Sequence, residues 1–329
     1  VFEPIKLLCY FLAIFVTVCF IILLALHSRL LEKCETEEKQ LQIIEKYESR
    51  RNDDWQSFTD DGSSFITEEN KDLMDLNILG SHSLFQWLNI AYTKSGKRKL
   101  MKQLTKTEFD EISWKQTQRA VKEMTEHPLF GIKFQAILSG IRNIHKLDLE
   151  EKKLYPSEYK KPEWISIIMG SVFALAMLVS LLLGLCEMIS FGTVGIMLLI
   201  CLCNLCIFSY FHRDEYEEIE KCIRAFGKME SLISFVSEEQ FKEDVVCQYQ
   251  EKIRLGKMTM HRISKIASLY YAKENMFSNV LFNVVFILNP LLVFLYRNTM
   301  KEGSAILYDT MESIEKIELF MALAGVAWV

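Results

Sequence analysis

Proline and glycine are scarce, at five and 13 residues in a chain of 329, and runs that alternate apolar with polar are few. That shortage excludes a fold built of short strands and tight turns and leaves a helical one. Catalytic signatures are missing too. There is no G-x-x-x-x-G-K-[ST] phosphate loop and no G-x-G-x-x-G, and Ser95-Gly96-Lys97-Arg98 lacks the surroundings of either. None of the six histidines has a second histidine or a cysteine three or four residues away, the spacing of a helical metal site. His82, beside Gly80 and Ser81, reads as a turn residue.

Charge is missing in blocks. Half of the chain is apolar and a quarter is charged, with a mean hydropathy of +0.12 and a net charge of −5. Leu7–Leu26, Trp164–Leu185 and Ile189–Phe211 contain no Asp, Glu, Lys or Arg. Each reaches the roughly 20 residues that a helix needs to cross a bilayer. The expectation is therefore an all-α integral membrane protein, with an N-terminal transmembrane helix, a transmembrane hairpin and helical domains on the cytoplasmic side. Lys160, Lys161 and Arg213 flank the hairpin, while its connector at Cys186, Glu187 and Met188 has no basic residue. By the positive-inside rule residues 27–163 and 212–329 face the cytoplasm of a multi-pass cell-membrane protein, with the lipid bilayer as a partner. The nine cysteines are placed as small apolar residues of the spans or as isolated thiols in a reducing compartment. Cys201, Cys203 and Cys206 lack a His or carboxylate partner for a metal.

A fourth apolar run, Met276–Tyr296, holds Asn279, Asn283, Asn289 and Pro290. Amides and a proline are costly in lipid, so this run is expected to pack within protein. The chain divides into an anchor at 1–30, a charged helix and connector at 31–70, a helical domain at 71–160, the hairpin at 161–212 and a second helical part at 213–329. In the charged helix Leu41, Ile44 and Tyr47 fall on one side. In the last part Tyr216, Ile219, Ile223, Phe226, Met229, Ile233 and Val236 recur at helical steps.

Two stretches lack acids altogether. Leu76–Thr107 carries Lys94, Lys97, Arg98, Lys99, Lys102 and Lys106, and Lys252–Lys273 carries Lys252, Arg254, Lys257, Arg262, Lys265 and Lys273. Three readings stand open for them: a solvated face, contact with anionic lipid headgroups, and contact with nucleic-acid phosphates. The candidate phosphate contacts are Lys94, Lys97, Arg98, Lys99, Arg254, Lys257, Arg262 and Lys265.

The segment Asp72–Thr105 has a definite local grammar. Gly80 and Ser81 break the chain, Ser83 caps a helix, and Leu84, Phe85, Leu88 and Ala91 form its apolar face. Thr93 or Ser95 with Gly96 marks a second turn, after which Leu100 and Leu104 begin the next helix. Gly80, Ser83-Leu84-Phe85, Leu88-Asn89, Thr93, Gly96, Arg98 and Leu100 together resemble the opening of the core and lever domain of the MutS family. The helix with Glu111-Ile112, Gln116, Arg119-Ala120-Val121 and Met124 is similar to the family's next helix. The tail, with Glu318-Leu319 and Ala322-Leu323-Ala324, is similar to the helix that leads into the family's ATPase domain. Trp55–Phe58, Asp60-Asp61-Gly62 and the apolar hairpin point to its membrane-anchored, MutS-related branch.

The resemblance implies a lever that couples a C-terminal ATPase to DNA, with ATP and Mg bound in that further domain and a homodimer formed through it. No cofactor, catalytic or metal residue is expected within this chain. Val1 in place of Met, and the end at Ala327-Trp328-Val329, read as a piece of a longer protein. Two other classes compete. A transporter needs polar groups within its spans, and the hairpin offers only Asn204 and small Ser, Thr and Gly residues. A tethered helical scaffold or sensor needs no nucleotide chemistry at all.

Overall fold

The computed structural model describes residues 3–108, 110–141, 163–211, 213–227, 229–272 and 288–329, and every regular element among them is helical. Helix α1 (Glu3–Arg51) is one continuous rod, so the first apolar run and the charged helix after it form a single element. Its buried face is Ile43, Tyr47 and Arg50, at steps of four and three; of the expected side, Leu41, Ile44 and Tyr47, only Tyr47 is buried. The polar connector at 53–70 folds into short 3-10 turns. After it come α2 (Asp72–Asp75), α3 (Leu84–Leu88), α4 (Lys94–Leu104), α5 (Glu111–Glu126) and α6 (Pro128–Ser139). A helical hairpin, α7 (Glu163–Leu185) and α8 (Phe191–Phe211), is followed by α9 (Arg213–Phe226), α10 (Met229–Glu238), α11 (Asp244–Leu255), α12 (Lys257–Ala272) and α13 (Leu288–Ala324).

Helix α13 organises the core. It packs on α4, α5, α11 and α12, and it buries Leu292, Val293, Tyr296, Met300, Leu307, Met311, Ile314 and Ile317. The stripe read from the sequence is the second part of that core: Ile219, Ile223, Phe226, Met229, Ile233 and Val236 are all buried. The stripe is divided between α9 and α10 near Gly227, where a Cβ would meet Ala267 of α12. On the other side α1 lies on α6, and Phe130 stacks on Phe235 at 5.2 Å between ring centres.

Membrane crossing is corrected by these residues. A crossing takes roughly 20 consecutive apolar residues, and no helix among the described residues is long and apolar enough to cross a membrane. The integral-membrane part of the expected fold class, its three crossings and the multi-pass location with cytoplasmic domains are withdrawn on that finding. The all-α part stands. The hairpin pairs α7 with α8 and buries Ala174, Val194 and Cys201, while Val172, Leu175 and Leu199 remain exposed.

The run at 276–296 is described only from Leu288 onward, where it opens α13. There Asn289, Leu292, Val293 and Tyr296 are buried in protein. Asn279, Asn283, Lys160, Lys161 and Lys273 lie outside the described residues.

Candidate functional site

The segment Asp72–Thr105 folds as two capped turns. Gly80 adopts a φ of 94°, which its lack of a Cβ permits, and its amide donates to Asp61 O at 2.9 Å. Ser83 is the N-cap of α3 and accepts the Gln86 amide at 3.2 Å. His82, at a φ of 61°, is a turn residue as expected. Phe85, Leu88 and Ala91 are buried, whereas Leu84 points outward. Gln86 ties the turn to the connector: its Oε1 accepts the His82 amide, and its Nε2 donates to Gln56 O and Phe58 O. Asn89 accepts the Ala91 amide on its side chain at 3.1 Å.

Thr93 caps α4 by accepting the Gly96 amide at 2.9 Å, and Leu100 is fully buried. This second turn is held by a residue far along the chain. Glu318 of α13 accepts the amides of Tyr92 at 2.7 Å and Thr93 at 3.2 Å, and the Thr93 hydroxyl donates to its other oxygen. Gly96 is required by closeness, because a Cβ there would collide with the Glu318 carboxylate and the Thr93 hydroxyl. One turn earlier on α13, Glu315 lies 3.4 Å from Lys99, which is also 3.6 Å from Glu312. Burial pushes the Glu315 carboxyl up, against the pull of Lys99. Burial also raises Glu318, to about 7, although the hydrogen bonds from Thr93 and Tyr92 oppose it.

Two other buried charges hold helix ends. Arg50 of α1 donates to Trp87 O at 2.8 Å and Asn89 O at 2.9 Å, the carbonyls that end α3, and lies over the rings of Tyr47 and Phe58. Glu123 of α5 accepts the amides of Lys242 and Glu243 at the start of α11. The charge of each complements the exposed backbone groups and dipole at that helix end.

The eight candidate phosphate contacts separate into groups. Lys97 pairs with Asp60, Lys99 with Glu312 and Glu315, Arg254 with Glu251 at 2.9 Å, and Arg262 with Glu302 at 3.0 Å. Lys94 and Arg98 also have partners. On α12, Lys257, Arg262 and Lys265 are exposed, with His261 between them. The stretch that looked acid-free in sequence is therefore supplied with acids by α13 and the connector. Helices α4 and α12 both pack on α13, and Lys99 of α4 reaches the α13 carboxylates of Glu312 and Glu315.

Beside α12 a cleft of about 720 Å³ opens between α1, α6, α10 and α12, lined by Lys33, Lys39, Glu230, Ser234 and Ser264 among others. Burial pushes the Glu230 carboxyl up, but hydrogen bonds from Ser264 and His261 and the charge of Lys257 outweigh it and hold it low. His261 Nδ1 lies 2.6 Å from Glu230. No group of three or more metal-ligating side chains occurs among the described residues.

Sequence reasoning quoted Glu318 within the tail motif without a role, and missed Arg50, Glu123 and Gln86. A legible signal existed for Glu318: with Glu315 it is an acid pair, three residues apart, on a helix otherwise apolar toward Ala324. No family model, curated protein or solved structure matches this chain.

Proposed function

We propose that this chain is a helical core and lever, the role that its resemblance to the MutS family implies, with the phosphates of duplex DNA as the partner. One observation carries the reading. Helix α13, at 37 residues about 55 Å long, is packed along its length on four helices, and its far end is joined through Glu318 to the turn at Thr93 and Gly96. A buried rod of that length transmits displacement, since packed interiors shift between discrete arrangements rather than deform. The ATPase domain, ATP and Mg belong to the whole protein that the resemblance implies.

The exposed Lys257 and Lys265 of α12 are the DNA contacts that the pairing pattern favours, in place of the paired Lys97, Lys99, Arg254 and Arg262. Duplex binding by the intact protein, followed against salt, tests this. Replacing both lysines with Gln should weaken binding and flatten the log–log slope by about two units, close to one per lost contact. Undetectable duplex binding in low salt removes DNA as the partner.

A helical scaffold without nucleotide chemistry is the second reading. It is favoured by the use of Arg50, Glu123 and Glu318, each of which is spent on backbone groups of a neighbouring helix. A distance measured between a spin label at one end of α13 and another on α1 separates the two. It changes on adding ATP and Mg to the whole protein if α13 is a lever, and stays fixed if it is a scaffold.

A further inference from the structure

Glu318 is 2% exposed, and its contacts are neutral donors. One oxygen takes both backbone amides of Tyr92 and Thr93, and the other takes the hydroxyl of Thr93. That hydroxyl oxygen already accepts the Gly96 amide as the cap of α4. A hydroxyl has one proton to give. It can aim that proton at Glu318 only while the facing carboxylate oxygen carries none. We propose that the Glu318–Thr93 joint is a proton-operated latch: uptake of one proton by Glu318 reverses its bond to Thr93 and changes how α4 is held on α13.

The step balances simply. A proton from solvent adds to the Glu318 oxygen that faces Thr93, and the new O–H donates to the Thr93 hydroxyl oxygen. The hydroxyl's own proton turns away, and its oxygen must now serve both Glu318 and the Gly96 amide. No covalent bond breaks. The inference rests on the geometry of this joint and goes beyond the lever reading, since it needs neither DNA nor nucleotide.

Burial favours the neutral form of Glu318, and the charge of Glu315 on the same helix adds to it. The bonds from Thr93 and Tyr92 favour the charged form, and the balance lies at about 7. From α4, Lys99 is drawn to Glu315 and Glu312, and Lys316 of α13 is pushed below its usual range by burial and by Lys99. From the turn, the Tyr92 phenol is pushed up to about 12 and stays neutral. From α1, Lys46 lies over the Tyr92 ring at 5.4 Å, and Arg50 is engaged by carbonyls. On α5, Glu123 is committed to Lys242 and Glu243. On α11, Tyr249 faces Glu312 and is raised by burial and by that charge. On α12, Arg262 pairs with Glu302.

Hydrogen exchange at the Gly96 and Thr93 amides, divided by the intrinsic chemical rate at each pH, reads the latch directly. In the native chain the protection should step once with a midpoint at about 7. Glu318→Gln should abolish the step, whereas Glu315→Gln should keep it. Flat protection across that range, or a step that survives Glu318→Gln, overturns the proposal. Should Glu318→Gln not fold, the carboxyl carbon resonances of the native chain decide instead. One glutamate titrating above about pH 6, against an ordinary value of about 4.3, and moving in Thr93→Val, supports the latch. All glutamates titrating in the ordinary range sink it.

Discussion

Glu123 of α5 accepts the backbone amide of Glu243 at 3.0 Å, so a carboxylate 120 residues earlier in the chain caps the helix that Glu243 begins. Glu243 makes no side-chain cap of its own. The first turn of α11 is thus completed by a side chain of another helix.

Glu123→Ala should therefore destabilise the fold by about 1–2 kcal/mol, the range for a lost helix cap. Glu123→Gln, which keeps an acceptor, should cost clearly less. Urea denaturation checks both, with the slope unchanged and the midpoint lowered. Equal losses for Ala and Gln would show that the charge, and not the acceptor, holds α11.

Arg50 makes a sharper case, because its guanidinium serves two carbonyls at once. Arg50→Met should cost about 2–4 kcal/mol, since bonds from a charged donor are worth about 1.5–3 each and the carbonyls are left unsatisfied. Arg50→Lys should recover little, because an ammonium cannot span both carbonyls as the planar fork does. Full recovery by Lys in a thermal melt would contradict the bidentate geometry.

At Gly96 the prediction concerns coupling. Gly96→Ala should cost about 1–3 kcal/mol by overpacking against Glu318 and Thr93. Glu318→Ala removes the obstructing carboxylate, so the double variant should be more stable than the two single losses added together. A double-mutant cycle measures this, and the interaction should exceed about 0.5 kcal/mol. Strict additivity would place the clash elsewhere.

Glu230 predicts a pH dependence of the opposite sign to Glu318. Its folded-state carboxyl lies below the ordinary range, through Ser264, His261 and Lys257 acting against burial. Such a group lends stability above its unfolded-state value, and that stability is lost as pH falls through the lower folded value. Glu230→Gln should flatten the acid limb of the melting-temperature profile and leave the neutral region unchanged. For Glu318 the raised folded value means that stability is present below the unfolded value and lost as pH rises toward about 7.

The parts of this molecule that were legible in sequence are those whose causes lie within one or two helical turns. The Ser83 cap acts on Gln86, and the Thr93 cap acts on Gly96, each three residues away. The stripe from Ile219 to Val236 is a periodicity, and periodicity is local. Where a local signal was ambiguous it misled: Leu41, Ile44 and Tyr47 satisfy a helical spacing as well as Ile43, Tyr47 and Arg50 do, and only the position of α6 chooses between them. Apolar length was the weakest guide, since counting uncharged residues along a run predicts crossings that the described helices do not supply.

What the sequence by itself determined is the helical content, the turn grammar from Gly80 to Leu100 and the apolar stripes, because hydrogen bonds between near neighbours and side-chain spacing fix them. What the tertiary structure alone decided is which charges are free. Lys97 and Lys99 stand in a stretch without a single acid, yet Asp60, Glu312 and Glu315 reach them from other elements. Glu318 finds Thr93 across 225 residues. Coulombic and hydrogen-bonding partners are set by distance through space, and chain separation carries no information about that distance until the helices have packed.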